Sequence, residues 1–198
     1  MALRLGDPTA RDLGRLTLNP IPHIDPIGSV LVPLVSYLMA GAVFIAWAKP
    51  VPINPLNFKN FRRDDILVSV VGPISNLLVA LACTIGYIIT VQTFGFPETI
   101  PEGFERSLVS FLIGMFSVGI TLNIFLAVFN LIPVPPLDGS HVVASLLPDE
   151  IGAQYRRIGF AGIFLIIILM RVEIFRTMVL SVVSTILIPY KFLIAAFA

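Results

Sequence analysis

The sequence contains few charged residues, two histidines and a single cysteine. Charged residues make up 13% of the 198 residues, whereas soluble domains carry about 25%. Hydrophobic residues make up 57%, and the mean hydropathy is +0.95. This composition excludes an ordinary soluble domain and predicts a membrane protein.

The same scarcity excludes several functional classes. Cys83 is the only cysteine, so no intramolecular disulfide can form. A net charge of +1 and the absence of a glycine-rich phosphate loop argue against nucleic acid as a partner. Residues 1–26 hold charges and prolines but no apolar core, and therefore do not resemble a signal peptide.

The sequence is rich in long apolar stretches. A membrane-spanning helix needs about 20 apolar residues, and two of the stretches meet this requirement without a charge. A third contains Gly28, Pro33 and Gly41, and the last is interrupted by charged residues, so it is either one span with an interfacial piece or two tilted pieces. The stretches are 27–47, 66–92, 108–132 and 158–190. With no repeat and only short polar links, we expect one membrane-embedded domain over residues 1–198.

The stretch 27–47 either spans the membrane or enters and returns on the same side. If it returns, its flanks and the link 133–157 share one side with nine basic residues, against one in the link 93–107. If it spans, the division is six against four. The positive-inside rule favours the re-entrant arrangement, with Asp138 on the cytoplasmic side.

Two apolar stretches carry the same stripe of small and polar residues. Positions four residues apart lie on one face of a helix, and small residues let helices approach closely in a membrane. We expect these faces to pack, with Asn76 and Asn123 facing one another. The stripes are Gly72, Asn76 and Ala80, and Gly119, Asn123 and Ala127.

The segment "NLIPVPPLDG", residues 130–139, places an acid next to an apolar helix. We expect the helix to end near Ile132, because the residue before a proline is pushed out of helical geometry. An acid near hydrocarbon is costly and is therefore a functional candidate. Asp138 either caps the next helix or binds a metal. Spacing alone favours the cap, since metal sites need two or three further ligands and only His23 and His141 are present.

From about residue 5 to 147, the sequence resembles the site-2 protease family of intramembrane zinc metallopeptidases. Four blocks carry the resemblance in the family's order: "LGDPTARDLGRLTLNPIPHIDPIG", "WAKPVPINPLNF", "GPISN" and "NIFLAVFNLIPVPPLDG". The expected fold is that of an all-α polytopic membrane protein, and the resemblance implies a helical core with short extended segments. It also implies that Asp138 is a zinc ligand and that Asn130 stabilises the oxyanion. The expected partners are transmembrane protein or peptide substrates and the lipid bilayer, in the plasma membrane of a prokaryote.

The sequence departs from the family in one respect. The family's His-Glu-x-x-His helix, which carries two zinc ligands and the catalytic glutamate, is absent from these residues. We therefore expect the chain as given to be inactive, and the missing helix to reflect truncation at the N-terminus or a misassigned start. The alternative is a pseudoprotease or membrane scaffold that binds single-pass proteins.

Other residues receive weaker assignments. His23 either lines the active-site cavity or hydrogen-bonds its own loop, and the family does not use the position of His141 for zinc. The strand-like segments "GRLTLNPIPHI" and "AKPVPIN" are either proline-rich linkers or edges that pair with an extended substrate.

Overall fold

Helices make up the regular structure of the chain. The computed structural model describes residues 1–17, 19–41 and 46–198, and within these ranges it contains no β-strand. The expectation of an all-α membrane protein is confirmed. The α-helices are α1 (Thr9–Asp12), α2 (Val32–Ala40), α3 (Phe61–Phe94), α4 (Phe104–Asn130), α5 (Asp138–Leu146), α6 (Asp149–Arg157), α7 (Gly162–Arg171) and α8 (Glu173–Phe197).

In the part of the chain that the structure describes, three helices are long and apolar enough to cross a membrane. They are α3, α4 and α8. The first two correspond to the apolar stretches 66–92 and 108–132, as expected from hydropathy. Pro73 lies inside α3 and removes one hydrogen bond from its backbone ladder, but the helix continues through it.

The last apolar stretch is divided near its charged residues. Val172 adopts an extended conformation between α7 and α8. Helix α7 has 10 residues and is too short to span alone, whereas α8 has 25. Together with the segment 159–171, α6 forms a pair bent by 65°. Of the two arrangements considered for this stretch, the structure has one long helix and one short piece.

The contacts divide the chain into two units, residues 1–64 and residues 65–198. In the first unit, Asp7 organises the loops and is only 1% exposed. Its carboxylate accepts hydrogen bonds from the backbone N–H of Asn54 at 2.9 Å and from the Asn57 side chain at 2.9 Å. It also accepts from the backbone N–H and the hydroxyl of Thr9. Burial alone would raise the pKa of Asp7, but these hydrogen bonds outweigh it and lower the pKa to about 2.

The stretch 27–47 returns towards its own beginning. It starts as a π-helical segment, continues into α2, and leaves that helix through Gly41 at φ +70°. The backbone N–H of Trp47 donates to the Gly28 carbonyl at 3.1 Å, and the Ser29 hydroxyl donates to the Trp47 carbonyl at 2.8 Å. Residues 42–45 of this stretch lie outside the described residues. A single crossing would separate the two ends by about 30 Å, so their contact agrees with the re-entrant interpretation.

In the second unit, α4 and α8 pack on one another, and so do α7 and α8. A buried apolar cluster joins α3, α4, α7 and α8 with the loop that follows α4. It consists of Ala80, Ile120, Ile124, Val128, Ile132, Val134, Ile166, Val179 and Val183. Apolar side chains cover much of the outer surface of the helices, as expected for surfaces that contact lipid.

We predict that Asp7→Asn lowers the melting temperature in detergent at pH 7, because an amide cannot accept all of the hydrogen bonds that the buried carboxylate accepts. Since the pKa of Asp7 in the folded protein lies below its ordinary value of 3.8, its stabilisation is present above that pH and is lost as the pH falls towards 2. The difference between variant and parent should therefore shrink over this range. Asp12→Asn is the control, because Asp12 is 58% exposed and pairs only with its neighbour Arg11. Equal melting temperatures for Asp7→Asn and its parent at pH 7 would contradict this role.

Candidate functional site

The loop between α4 and α5 (residues 131–137) holds the candidate site in place. Helix α4 ends at Asn130, two residues before the expected position, and the loop carries its own hydrogen bonds. The N–H of Val134 donates to the Ile132 carbonyl at 2.8 Å, and the N–H of Leu137 donates to the Val134 carbonyl at 3.0 Å. The three prolines, Pro133, Pro135 and Pro136, have no N–H to satisfy.

Two glycines clamp this loop through backbone contacts. A Cβ atom at Gly139 would lie 2.2 Å from the carbonyl oxygen of Leu131, and one at Gly162 would lie 1.8 Å from that of Pro135. Neither distance is compatible with a side chain. The loop is therefore packed directly against the first turn of α5 and the start of α7.

Asp138 is the first residue of α5 and is half-buried. The N-cap position belongs to Leu137, so Asp138 lies one residue beyond the capping position considered above. In the described residues, its carboxylate has no hydrogen-bond partner. Burial raises the pKa of Asp138, and the neighbouring His141 offsets only part of this effect. A poorly solvated carboxylate is stabilised when a cation meets it, and this makes Asp138 a candidate metal ligand.

The Asp138 carboxylate lies on the bare backbone of α3. An atom built as Cβ at Gly72 would be 2.8 Å from Oδ2 of Asp138, and only Asp138 atoms lie within 4 Å of it outside the helix's own backbone. The sequence placed Gly72 in a stripe that packs on a neighbouring helix. In the structure, Gly72 contacts Asp138, the candidate metal ligand. The stripe of small residues in the sequence did not predict this contact.

The second stripe does pack against α3. A Cβ at Gly119 would lie 2.7 Å from the Cys83 sulfur, and one at Gly86 would lie 2.6 Å from the Phe116 ring. These two contacts define an antiparallel register between α3 and α4. The register places Asn123 near the level of residue 79, roughly one helical turn from Asn76.

The two stripe asparagines and Asn130 therefore occupy different levels. The Asn123 side chain donates to the Gly119 carbonyl of its own helix at 2.8 Å. Followed towards the start of α3, the same register brings half-buried Asn130 to the level of Gly72, where the Asp138 carboxylate lies.

A polar network next to Asp138 did not emerge from the sequence. Asp65 is 6% exposed and accepts hydrogen bonds from the Ser145 hydroxyl at 3.0 Å and from Arg156 at 3.1 Å. His141 Nδ1 lies 3.3 Å from its other oxygen. Arg156 also donates to the Ser145 hydroxyl at 3.0 Å. We call Asp65, His141, Ser145 and Arg156 the Asp65 network.

The Asp65 network explains the state of His141. The close approach of the Asp65 carboxylate raises the pKa of His141, although burial and Arg156 oppose this shift. Its Nδ1 therefore faces Asp65. The one sequence signal for this pairing was an acid at the start of an apolar stretch, Asp65, which is costly unless a partner covers it.

The remaining assigned residues lie in the first unit. The ring nitrogen Nε2 of His23 is 3.2 Å from the Thr17 carbonyl oxygen, which is a contact within its own loop. Arg15 donates to the carbonyl oxygen of Pro22 and, at 2.6 Å, to that of Lys49. The two strand-like segments therefore meet through side-chain and backbone hydrogen bonds, without forming a described β-strand.

The described residues do not by themselves complete a metal site. In residues 1–17, 19–41 and 46–198, no three His, Cys, Asp or Glu side chains gather to hold an ion. Zinc in a hydrolytic enzyme needs three protein ligands, and Asp138 supplies one carboxylate. The donors present therefore do not fit a complete zinc centre.

Comparison with known proteins gives two matches. The sequence model of Peptidase family M50 matches residues 57–170. The chain is also 38% identical over 169 residues to "Putative zinc metalloprotease YwhC" of Bacillus subtilis (strain 168), a match that covers 85% of this chain and 70% of that protein. No solved structure matches the chain significantly. The family match includes Gly72, the α4–α5 loop and the Asp65 network.

We predict that Gly162→Ala destabilises the protein by about 1–3 kcal/mol, as overpacking does, because the added methyl group would meet the Pro135 carbonyl. Thermal unfolding in detergent measures the effect. Gly114→Ala in α4 is the matched control, since no atom lies within 4 Å of its added Cβ. Unchanged stability of Gly162→Ala would show that the loop is not clamped at this point.

Proposed function

This chain belongs to Peptidase family M50, the site-2 protease family, and from that premise we propose that it supplies the Asp138 part of an intramembrane zinc metalloprotease. The observation that carries the proposal is the Asp138 carboxylate. It is half-buried, held on a glycine-clamped loop and without a hydrogen-bond partner in the described residues. A carboxylate in such a position is stabilised when a cation meets it.

Two residues of this chain have proposed roles. Asp138 is one protein ligand for zinc, and a hydrolytic zinc centre needs two further protein ligands and a general base beside it. Asn130 donates its side-chain amide to the carbonyl oxygen of the scissile peptide as negative charge develops there. Its position at the end of α4, at the level of Gly72, supports this role.

By itself, the 198-residue chain is proposed to be inactive. It contains no His-Glu-x-x-His sequence, so neither the two imidazole ligands nor the adjacent glutamate is available. The same observation favours a second candidate function, a pseudoprotease or membrane scaffold that binds single-pass membrane proteins. Addition of the missing helix distinguishes these functions, because it restores catalysis only if the remaining site is intact.

The proposed setting is the plasma membrane of a prokaryote, which the chain crosses several times. Asp138 is placed on the cytoplasmic side, and the substrate is a transmembrane segment of another protein. The distribution of basic residues supports this orientation, since nine of them share a side if the stretch 27–47 returns. The contact between Trp47 and Gly28 supports the return.

We predict that the purified 198-residue chain binds zinc no better than its Asp138→Ala variant and does not cleave a transmembrane reporter. A chain lengthened at its N-terminus by a His-Glu-x-x-His helix should gain both properties. In that longer chain, Asp138→Ala should abolish cleavage, and Asn130→Ala should lower turnover by roughly 10²–10³, as loss of one oxyanion donor does. Zinc content by mass spectrometry and cleavage of the reporter are the measurements.

Asp12→Ala is the control in the longer chain, because this exposed acid should affect neither zinc content nor cleavage. Tight zinc binding by the short chain that depends on Asp138 would contradict the account. A longer chain that binds zinc but never cleaves would favour the scaffold.

A further inference from the structure

Helices α3 and α5 touch at two levels. At one level, the Asp138 carboxylate lies against Gly72, and at the other, the Ser145 hydroxyl donates to Asp65. The two contacts are seven residues apart in each helix, which corresponds to about 10.5 Å or two turns. Because the numbering runs in opposite directions, α5 lies antiparallel along the start of α3.

The facing surfaces of the two helices are polar and small. On α3, the facing positions are Asp65, Ser69 and Gly72, and the first two side chains are buried. On α5, the facing positions are Asp138, His141 and Ser145, at helical spacings of three and four residues. The interface is therefore joined by hydrogen bonds at its Asp65 end and by a close approach to bare backbone at its Gly72 end.

The Asp65 end of the interface is strongly bonded, whereas the Gly72 end is not. Asp65 contacts Ser145, Arg156 and His141, which lie on α5 and α6. The hydrogen bonds that Ser145 and Arg156 donate to Asp65 form only when α5 and α6 lie in register on α3, and a buried carboxylate without partners is costly. At Gly72, in contrast, no described side chain donates a hydrogen bond to the Asp138 carboxylate. Its position must therefore follow from the placement of α5.

We propose that Asp65 and His141 are positioning residues, which fix α5 along α3 and thereby hold the Asp138 carboxylate on the Gly72 backbone. Helix α5 moves as one rigid element, so contacts at its Asp65 end also determine where Asp138 lies. The hydrogen bonds at Asp65 set its register, Gly139 fixes its first turn on the Leu131 carbonyl, and the bare backbone at Gly72 leaves room for the carboxylate. The importance of that carboxylate for zinc rests on the proposed function, but the placement of the helix does not.

Disulfide trapping tests the placement in the 198-residue chain without zinc. A Gly72→Cys and Asp138→Cys pair, in a Cys83→Ser background, reports the approach of α5 to α3. The Cβ position at residue 72 is 3.8 Å from Cγ of Asp138, so the side chains at the two positions approach one another. Gly119→Cys with the native Cys83 is the matched control pair, because it joins α3 to α4 away from the Asp65 network.

We expect His141→Ala to lower the rate of disulfide formation at the 72–138 pair by roughly threefold or more, since disulfides tolerate little displacement. The rate at the 83–119 pair should stay unchanged. Asp65→Asn, which keeps the side-chain size but weakens the ionic contacts, should have the same selective effect. Gel-shift labelling of the remaining free thiols measures both rates in detergent and in native membranes.

Two outcomes would overturn the inference. Unchanged trapping at 72–138 in both variants would show that the network does not place α5. An equal loss at the two pairs in both variants would show that the network supports the fold in general and does not position Asp138 selectively. Neither outcome depends on zinc or cleavage, so failure of the proposed metalloprotease would leave this test intact, and the reverse also holds.

Discussion

Removal of water from a carboxylate costs free energy, and this constraint organises the polar part of an otherwise apolar chain. Three aspartates meet it in different ways. Asp7 is surrounded by neutral hydrogen-bond donors, and Asp65 is surrounded by a hydroxyl, a guanidinium and an imidazole. In the described residues, Asp138 lies on a helix backbone near the imidazole of His141 and accepts no hydrogen bond. The first two stabilise structure through their partners, whereas the third is the proposed metal ligand.

Membership in Peptidase family M50 and the geometry of the site answer different questions. The family match covers residues 57–170 and establishes the relationship, but it does not say how Asp138 is held. The structure supplies that information, because the α4–α5 loop is enclosed by α5 and α7 through glycine contacts. In a helical bundle surrounded by lipid, such contacts are a direct way to fix a loop at a defined depth.

The helices could be predicted from the sequence because hydropathy is a local property. The stretches 66–92 and 108–132 became α3 and α4, and the charges from Arg171 to Arg176 marked the break before α8. The re-entrant course of 27–47 was inferred from its flanking basic residues and stays a prediction. The Asp65 network could not be predicted in this way, because residues 65 and 141 are joined only by the antiparallel placement of α5. The contact between Gly72 and Asp138 also depends on the placement of α5, so the sequence indicated only a helix-packing position for Gly72.

The contacts of Gly139 and Gly162 also constrain how this sequence can evolve. Both glycines abut backbone carbonyl oxygens, which no change of rotamer can move aside. Every other amino acid adds a Cβ atom, so no substitution at either position is neutral for folding. A lineage that lost the acid at 138, and with it the chemistry, would still be held to both glycines by folding alone. In such a descendant, both glycines would still be present after the aspartate had been replaced.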